Sequence, residues 1–183
     1  MKTIKKSFKG AHLQIKYGTY TMRLDEMPLD IGYASDKVGV KGKNGKEHTI
    51  GGQNGKTQLI ITAPFIDENL LKELREMEAS LPNTAEHEVT ASLVLAHELK
   101  NDLALAKFKQ YTDKKEEFGD LYGVRLSGEP YERELTKAVF LISKDGALFY
   151  DEIAKDLSER FDQETLMRKI YAAQTCYTGK GCH

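Results

Sequence analysis

Residues Thr57 to Phe65 read Thr-Gln-Leu-Ile-Ile-Thr-Ala-Pro-Phe, a nearly unbroken apolar run. A strand with one face in water alternates apolar and polar residues, so a run of this kind belongs to a strand covered on both faces. Pro64 ends it, because proline has no amide to give to a ladder. A chain with such a strand must build a sheet that has other elements packed above and below it. From Asn69 the period becomes helical: Leu70, Leu71, Leu74, Met77 and Leu81 recur at helix spacing until Pro82, with Asp67 or Asn69 available as the N-cap.

The flanking segments complete the plan. Leu13 to Leu24 alternates around Tyr17-Gly18 and predicts an N-terminal hairpin. Asn44-Gly45 predicts a second, small hairpin, since a type I′ turn needs positive φ at both central residues. Val89, Ala91, Leu93 and Leu95 alternate with Thr90 and Ser92, the period of a strand. Asn101 to about Glu117 is expected to be helical, anchored by Leu103, Phe108 and Tyr111. Two apolar runs joined by Ser143-Lys144-Asp145-Gly146 predict a further hairpin, and Asp162 to about Thr175 a last helix with Leu166, Ile170 and Ala173 on one face. The predicted class is α/β: a central mixed sheet flanked by helices, with an N-terminal β-hairpin. A strand-helix-strand unit followed by an antiparallel hairpin and a final helix is the plan of the thioredoxin fold.

A chain of 183 residues buries roughly 70% of its unfolded surface, so it needs no cross-links to hold a core. One domain over residues 1–175 is expected, followed by a cysteine-containing tail at 176–183. Lys and Arg number 27 against 28 Asp and Glu. That balance leaves no net field to draw in nucleic acid or an anionic membrane. The basic N-terminus has no apolar signal-peptide core and no stretch approaches the roughly 20 apolar residues of a membrane span, so a soluble cytoplasmic protein is expected.

Several segments together resemble the peroxiredoxins, and specifically the atypical two-cysteine thiol peroxidase group. Phe8 to Leu24 (FKGAHLQIKYGTYTMRL) is similar to that group's N-terminal hairpin. Asn54 to Asp67 (NGKTQLIITAPFID) resembles the strand leading to its active-site Pro-Ser-Leu-Asp-Thr-x-Val-Cys. Leu121 to Val124 (LYGV) and Leu135 to Ile153 (LTKAVFLISKDGALFYDEI) are similar to its Tyr-Gly-Val and Ala-Arg-Ala-Val-Phe-Val-Ile-Asp-x-Asp-Gly segments. The resemblance covers roughly residues 8–152 and implies a thioredoxin fold, a homodimer, no cofactor, a peroxide or disulfide substrate and a thioredoxin-like dithiol reductant.

Matched residue by residue, Pro64 and Asp67 keep the family's proline and aspartate. Glu68 stands at its threonine, Leu71 at its peroxidatic cysteine and Lys137 at its arginine. In such a site a thiol in the first helical turn is ionised by the helix N-terminus and a guanidinium, and the thiolate attacks the O–O bond. Leucine has no such chemistry. A Glu68–Lys137 ion pair and a pocket plugged by Leu71 are the expectations that follow, and no cysteine stands near Lys107 to Tyr111, where the family's resolving thiol would fall.

Two other patterns carry no chemistry. Gly51 to Thr57 (GGQNGKT) is one residue short of a phosphate loop and runs into a strand rather than a helix. His87-Glu88 and His97-Glu98 do not continue as H-E-x-x-H, and His12 and His48 have no partner in the local sequence. The tail, CYTGKGCH, is different: Cys176 and Cys182 are separated by a glycine-rich spacer able to close a disulfide, and Lys180 favours a thiolate. It reads as a redox dithiol, as a metal clip of Cys176, Cys182 and His183 lacking a fourth ligand, or as an inert chain end. The spacing does not match C-x-x-C-H haem attachment.

Overall fold

In a computed structural model of the protein, residues 12–82 and 89–175 are described. The strands and helices are β1 (Gln14–Tyr17), β2 (Tyr20–Leu24), β3 (Val38–Gly42), β4 (Glu47–Ile50), β5 (Thr57–Thr62), α1 (Glu68–Ser80), β6 (Val89–Leu95), β7 (Phe108–Thr112), α2 (Glu117–Leu121), β8 (Leu126–Ser127), β9 (Ala138–Ile142), β10 (Leu148–Ile153) and α3 (Gln163–Thr175). Seven strands form one mixed sheet in the order β10-β9-β5-β6-β7-β3-β4, and β1-β2-β8 form a second, three-stranded sheet. This is an α/β thioredoxin fold of the peroxiredoxin type.

The apolar run is β5, third in the large sheet and buried at every position. It pairs in parallel with β6 and antiparallel with β9, so that Leu59 lies between Ala91 and Leu141, and Ile61 between Leu93 and Val139. These six pack with Leu70, Leu74 and Met77 of α1 and Leu166, Ile170 and Ala173 of α3. The intervening Ile60 points to the opposite face with Val94, Phe140 and Ile142, where Phe118, Tyr122 and Val124 cover it. Burial on both sides is why alternation is absent from β5. Each large aliphatic side chain so buried contributes about 1.5–3 kcal/mol of transfer free energy.

The predicted hairpins are present: β1 with β2, β3 with β4 around Asn44-Gly45, and β9 with β10 around Asp145-Gly146. The expected helix over 101–117 is not. That segment holds β7, paired in parallel with β6, and only the short α2 beyond it. Phe108 is buried opposite Ala91, and the Asp113 amide donates to Leu95 O at 2.8 Å. Strand pairing to β6 satisfies this backbone and overrides a weak helical pattern. Asp113 then fixes α2: its carboxylate accepts from the amides of Phe118 at 3.0 Å and Gly119 at 2.8 Å and pairs with the buried Arg125 at 3.3 Å.

The glycine-rich loop between β4 and β5 is structural. Gln58 accepts from the Gly51 amide and donates to Gly52 O, both at 2.9 Å. Gly51 has φ +76°, and a Cβ there would lie 2.2 Å from both Asp36 O and the Tyr122 hydroxyl. Among the described residues no helix is long and apolar enough to cross a membrane.

Candidate functional site

The β5–α1 junction opens a cleft of about 470 Å³, floored by Ala63 and Pro64 and lined further by Tyr17, Phe65, Leu70, Lys137 and Arg160. The turn forms because Pro64 ends the ladder and Asp67 caps the helix: Leu70 N donates to Asp67 Oδ1 at 2.8 Å and Leu71 N to Asp67 O at 3.0 Å. Of the two capping candidates, the helix uses Asp67.

Lys137, at the entrance of β9, is buried, and its charge is committed. Its ammonium pairs with Glu73 Oε1 at 3.3 Å, donates to Glu159 O and lies 4.8 Å from the centroid of the Phe161 ring. Glu73 is equally buried, with 2% of its side chain exposed against 7% for Lys137. It also accepts from the Phe161 amide at 3.4 Å and has Arg160 Nε at 3.8 Å. Arg160 in turn pairs with Glu76, and Gln163 donates to Glu73 O and Glu76 Oε2, each at 3.4 Å. Helix α1, strand β9 and the segment leading into α3 are thereby tied together beneath the cleft.

The structure corrects two expectations. Lys137 pairs with Glu73, not Glu68, which is exposed in the first turn of α1. Helix geometry is the reason: Glu73 is three residues after Leu70 and four before Met77, so it shares their buried face, whereas Glu68 is turned outward. Nor does Leu71 plug the cleft. Leu70 lines it, while the half-buried Leu71 faces a neighbouring depression with Glu68, Arg75 and Ala79. Pro64, Asp67 and Lys137 all line the cleft. Cys176, Cys182, His183 and His87 lie outside the described residues, as do Phe8 to Ala11 of the matched hairpin segment.

Glu73, Arg160 and Phe161 were not singled out from sequence. Glu73 carries a readable signal, a carboxylate on the apolar stripe of a helix, which demands a cation. An aromatic cluster also escaped notice: the rings of Tyr17, Phe65 and Tyr131 lie 4.9–5.5 Å apart at the cleft's side. Burial, helped by the neighbouring Tyr17 hydroxyl and the Asp67 carboxylate, pushes the Tyr131 phenol up to about 12. His12 and His48 do have partners, distant in sequence: His12 Nδ1 lies 3.1 Å from Leu24 O, and the His48 ring packs on Tyr111. His97 pairs with Glu134 at 2.8 Å. Among the described residues no group of three or more His, Cys, Asp or Glu is placed to hold a metal.

No family model matches the chain. Individual proteins do. A thiol peroxidase of Campylobacter jejuni is 27% identical over 190 aligned positions, covering 97% of this chain and 98% of that protein. A thiol peroxidase of Aquifex aeolicus is 24% identical, covering 78% and 87%. Among solved structures, a peroxiredoxin-like protein from Aquifex aeolicus superposes with a TM-score of 0.79 at 18% identity, covering 88% of this chain and 97% of its own. The thiol peroxidase from Chromobacterium violaceum superposes at 0.73 with 14% identity, covering 89% and 98%. Full-length alignment to thiol peroxidases and the shared architecture agree with the β5–α1 junction and its Pro64 and Asp67: the chain is similar to thiol peroxidases over nearly its whole length and has the fold of the peroxiredoxins.

Proposed function

We propose that this protein is a thiol peroxidase-like redox protein whose family cleft has lost peroxide cleavage, and whose thiol chemistry rests with Cys176 and Cys182. The observation that carries the reading is the state of Lys137. A cation at this place should stabilise a thiolate and the developing charge on a peroxide oxygen, but here it is consumed by Glu73, Glu159 O and the Phe161 ring. Residues 1–175 contain no cysteine, so there is no thiolate for it to serve.

In the chemistry we assign to the tail, one thiolate attacks the terminal oxygen of a hydroperoxide and the O–O bond breaks. An alcohol or water leaves after taking a proton, and the sulfur becomes a sulfenic acid. The second thiol displaces water from that sulfur and closes a disulfide, so two thiols supply the two electrons. A thioredoxin-like dithiol then reopens the bridge by exchange. We assign the protein to a reducing compartment such as the cytoplasm and expect a homodimer, as the resemblance implies.

Intact-mass analysis before and after one equivalent of peroxide tests this. Loss of two hydrogens mapped to the peptide containing Cys176 and Cys182 is expected, and an unchanged mass overturns the reading. A second reading is favoured by the cleft itself, which has a volume of about 470 Å³, an aromatic wall and a charged rim but no thiol: a non-catalytic binding protein on the same fold. It predicts that a partner retained by the wild type is also retained after both cysteines are changed to serine.

A further inference from the structure

We propose that the cleft at the β5–α1 junction binds a small carboxylate carrying an aromatic ring, without reacting with it. The inference rests on the reading that this cleft has no peroxide chemistry of its own. At about 470 Å³ the cleft lies within the range of small-molecule sites, roughly 300–1,000 Å³. One part of its lining is apolar: Tyr17 and Phe65, whose ring centroids are 5.3 Å apart, with Leu70 and Leu157; the rest is polar, with Asn69, Ser158 and the charged side chains. Aromatic side chains favour an aromatic guest in offset or edge-to-face contact.

The charges decide the sign of that guest. Five ionisable side chains other than tyrosine line the cleft: Asp67, Lys72, Glu73, Lys137 and Arg160. Glu73 and Lys137 neutralise one another in the floor at 3.3 Å. Asp67 spends one carboxylate oxygen on the Leu70 amide at 2.8 Å, where the helix N-terminus offsets its charge. Arg160 is shared between Glu73 and Glu76, with its side chain 55% exposed. Lys72 is exposed at the rim and forms no ion pair or hydrogen bond among the described residues. Apart from the capping Asp67, the charge of the cleft left without an ion-pair partner among the described residues is the Lys72 ammonium, at its rim beside the aromatic wall. An anion held at the rim by Lys72 and by Nη1 of Arg160, the guanidinium nitrogen not engaged with Glu73 or Glu76, with its ring against Tyr17 and Phe65, satisfies both surfaces. A cationic guest would meet the like charge of Lys72 at the rim, and a guest with no ring would leave the aromatic wall uncovered.

The test uses phenylacetate, with phenylacetamide and phenethylamine as its neutral and cationic counterparts, followed by backbone amide NMR shifts in the Cys176→Ser/Cys182→Ser chain. Saturable shifts clustered at residues 63–72 and 157–160 are expected for phenylacetate, with the amide and the amine binding at least tenfold more weakly. Lys72→Gln with Arg160→Gln should weaken phenylacetate at least tenfold. Asn69→Trp, which fills the cleft from an exposed position and keeps every charge, should abolish the shifts. No saturable shift, equal binding of the amide or amine, shifts centred elsewhere, or full affinity in both variants would each overturn the inference. Because both cysteines are absent from the protein tested, failure here leaves the tail chemistry standing. A tail that forms no bridge with peroxide likewise leaves ligand binding standing.

Discussion

Replacing Lys137 with methionine removes the ammonium and keeps most of the stem, which isolates the ion pair from the packing. Glu73 is left with 2% of its side chain exposed and without its nearest charge. Removing one partner of a buried pair costs about 3–5 kcal/mol, because the survivor is then an uncompensated buried charge. The Phe161 amide at 3.4 Å and Arg160 Nε at 3.8 Å still face Glu73, so the low end applies, about 3 kcal/mol. In a chain of this length 1 kcal/mol moves the midpoint by about 2–4 °C, which gives a fall of about 6–12 °C. Glu73→Leu combined with Lys137→Met removes both charges and should recover most of the loss, since buried pairs replaced by apolar residues are often neutral or better. Urea unfolding of wild type, both single variants and the double variant closes the cycle. Single variants costing under about 1 kcal/mol, or a double variant that merely adds their losses, would refute the claim that the two charges hold each other in the core.

Three further outcomes follow from the geometry. Gly51→Ala places a Cβ 2.2 Å from Asp36 O at a φ of +76°, and the strain of that conformation alone costs about 1–2 kcal/mol before the clash is added; a urea midpoint equal to wild type would contradict the close packing of this loop. Leu70→Ala should cost about 2–5 kcal/mol and the half-buried Leu71→Ala distinctly less, so equal losses would mean that the helix is rotated from the orientation described. Burial pushes Tyr122 and Tyr131 up to about 12, so the fold keeps protons that the unfolded chain releases from about pH 10. Stability should therefore be intact below pH 10 and fall as pH rises from about 10 to 12. The fall, read from urea midpoints, should be shallower in Tyr131→Phe, and an identical slope would argue against a shifted Tyr131.

How much of this was visible in the residues depends on how local the determining contact is. Strand β5 and helix α1 were legible because both periods can be counted along the chain, and Pro64, Asp67 and Pro82 mark their limits. The hairpin turns at Asn44-Gly45 and Asp145-Gly146 were legible for the same reason, with positive φ at both glycines. Strand β7 was not, because what makes Phe108 to Thr112 extended is the neighbouring β6, not a pattern within the segment itself. At the site, Pro64, Asp67 and Lys137, which the motif singled out, line one cleft. The motif chose the wrong carboxylate because Glu68 is nearest to its altered position, whereas helix phase, a three-dimensional property, selects Glu73. The Phe65–Tyr131 contact joins residues far apart in the chain and left no local trace.

The most direct measurement of the central claim is peroxide consumption by the full chain and by its Cys176→Ser/Cys182→Ser variant, with a thioredoxin-like dithiol as reductant. The account predicts turnover in the wild type and the uncatalysed background in the variant, because the cleft beside Lys137 and Glu73 contains no group that can take an oxygen from a peroxide. Peroxide consumption that persists above background without either thiol would contradict it.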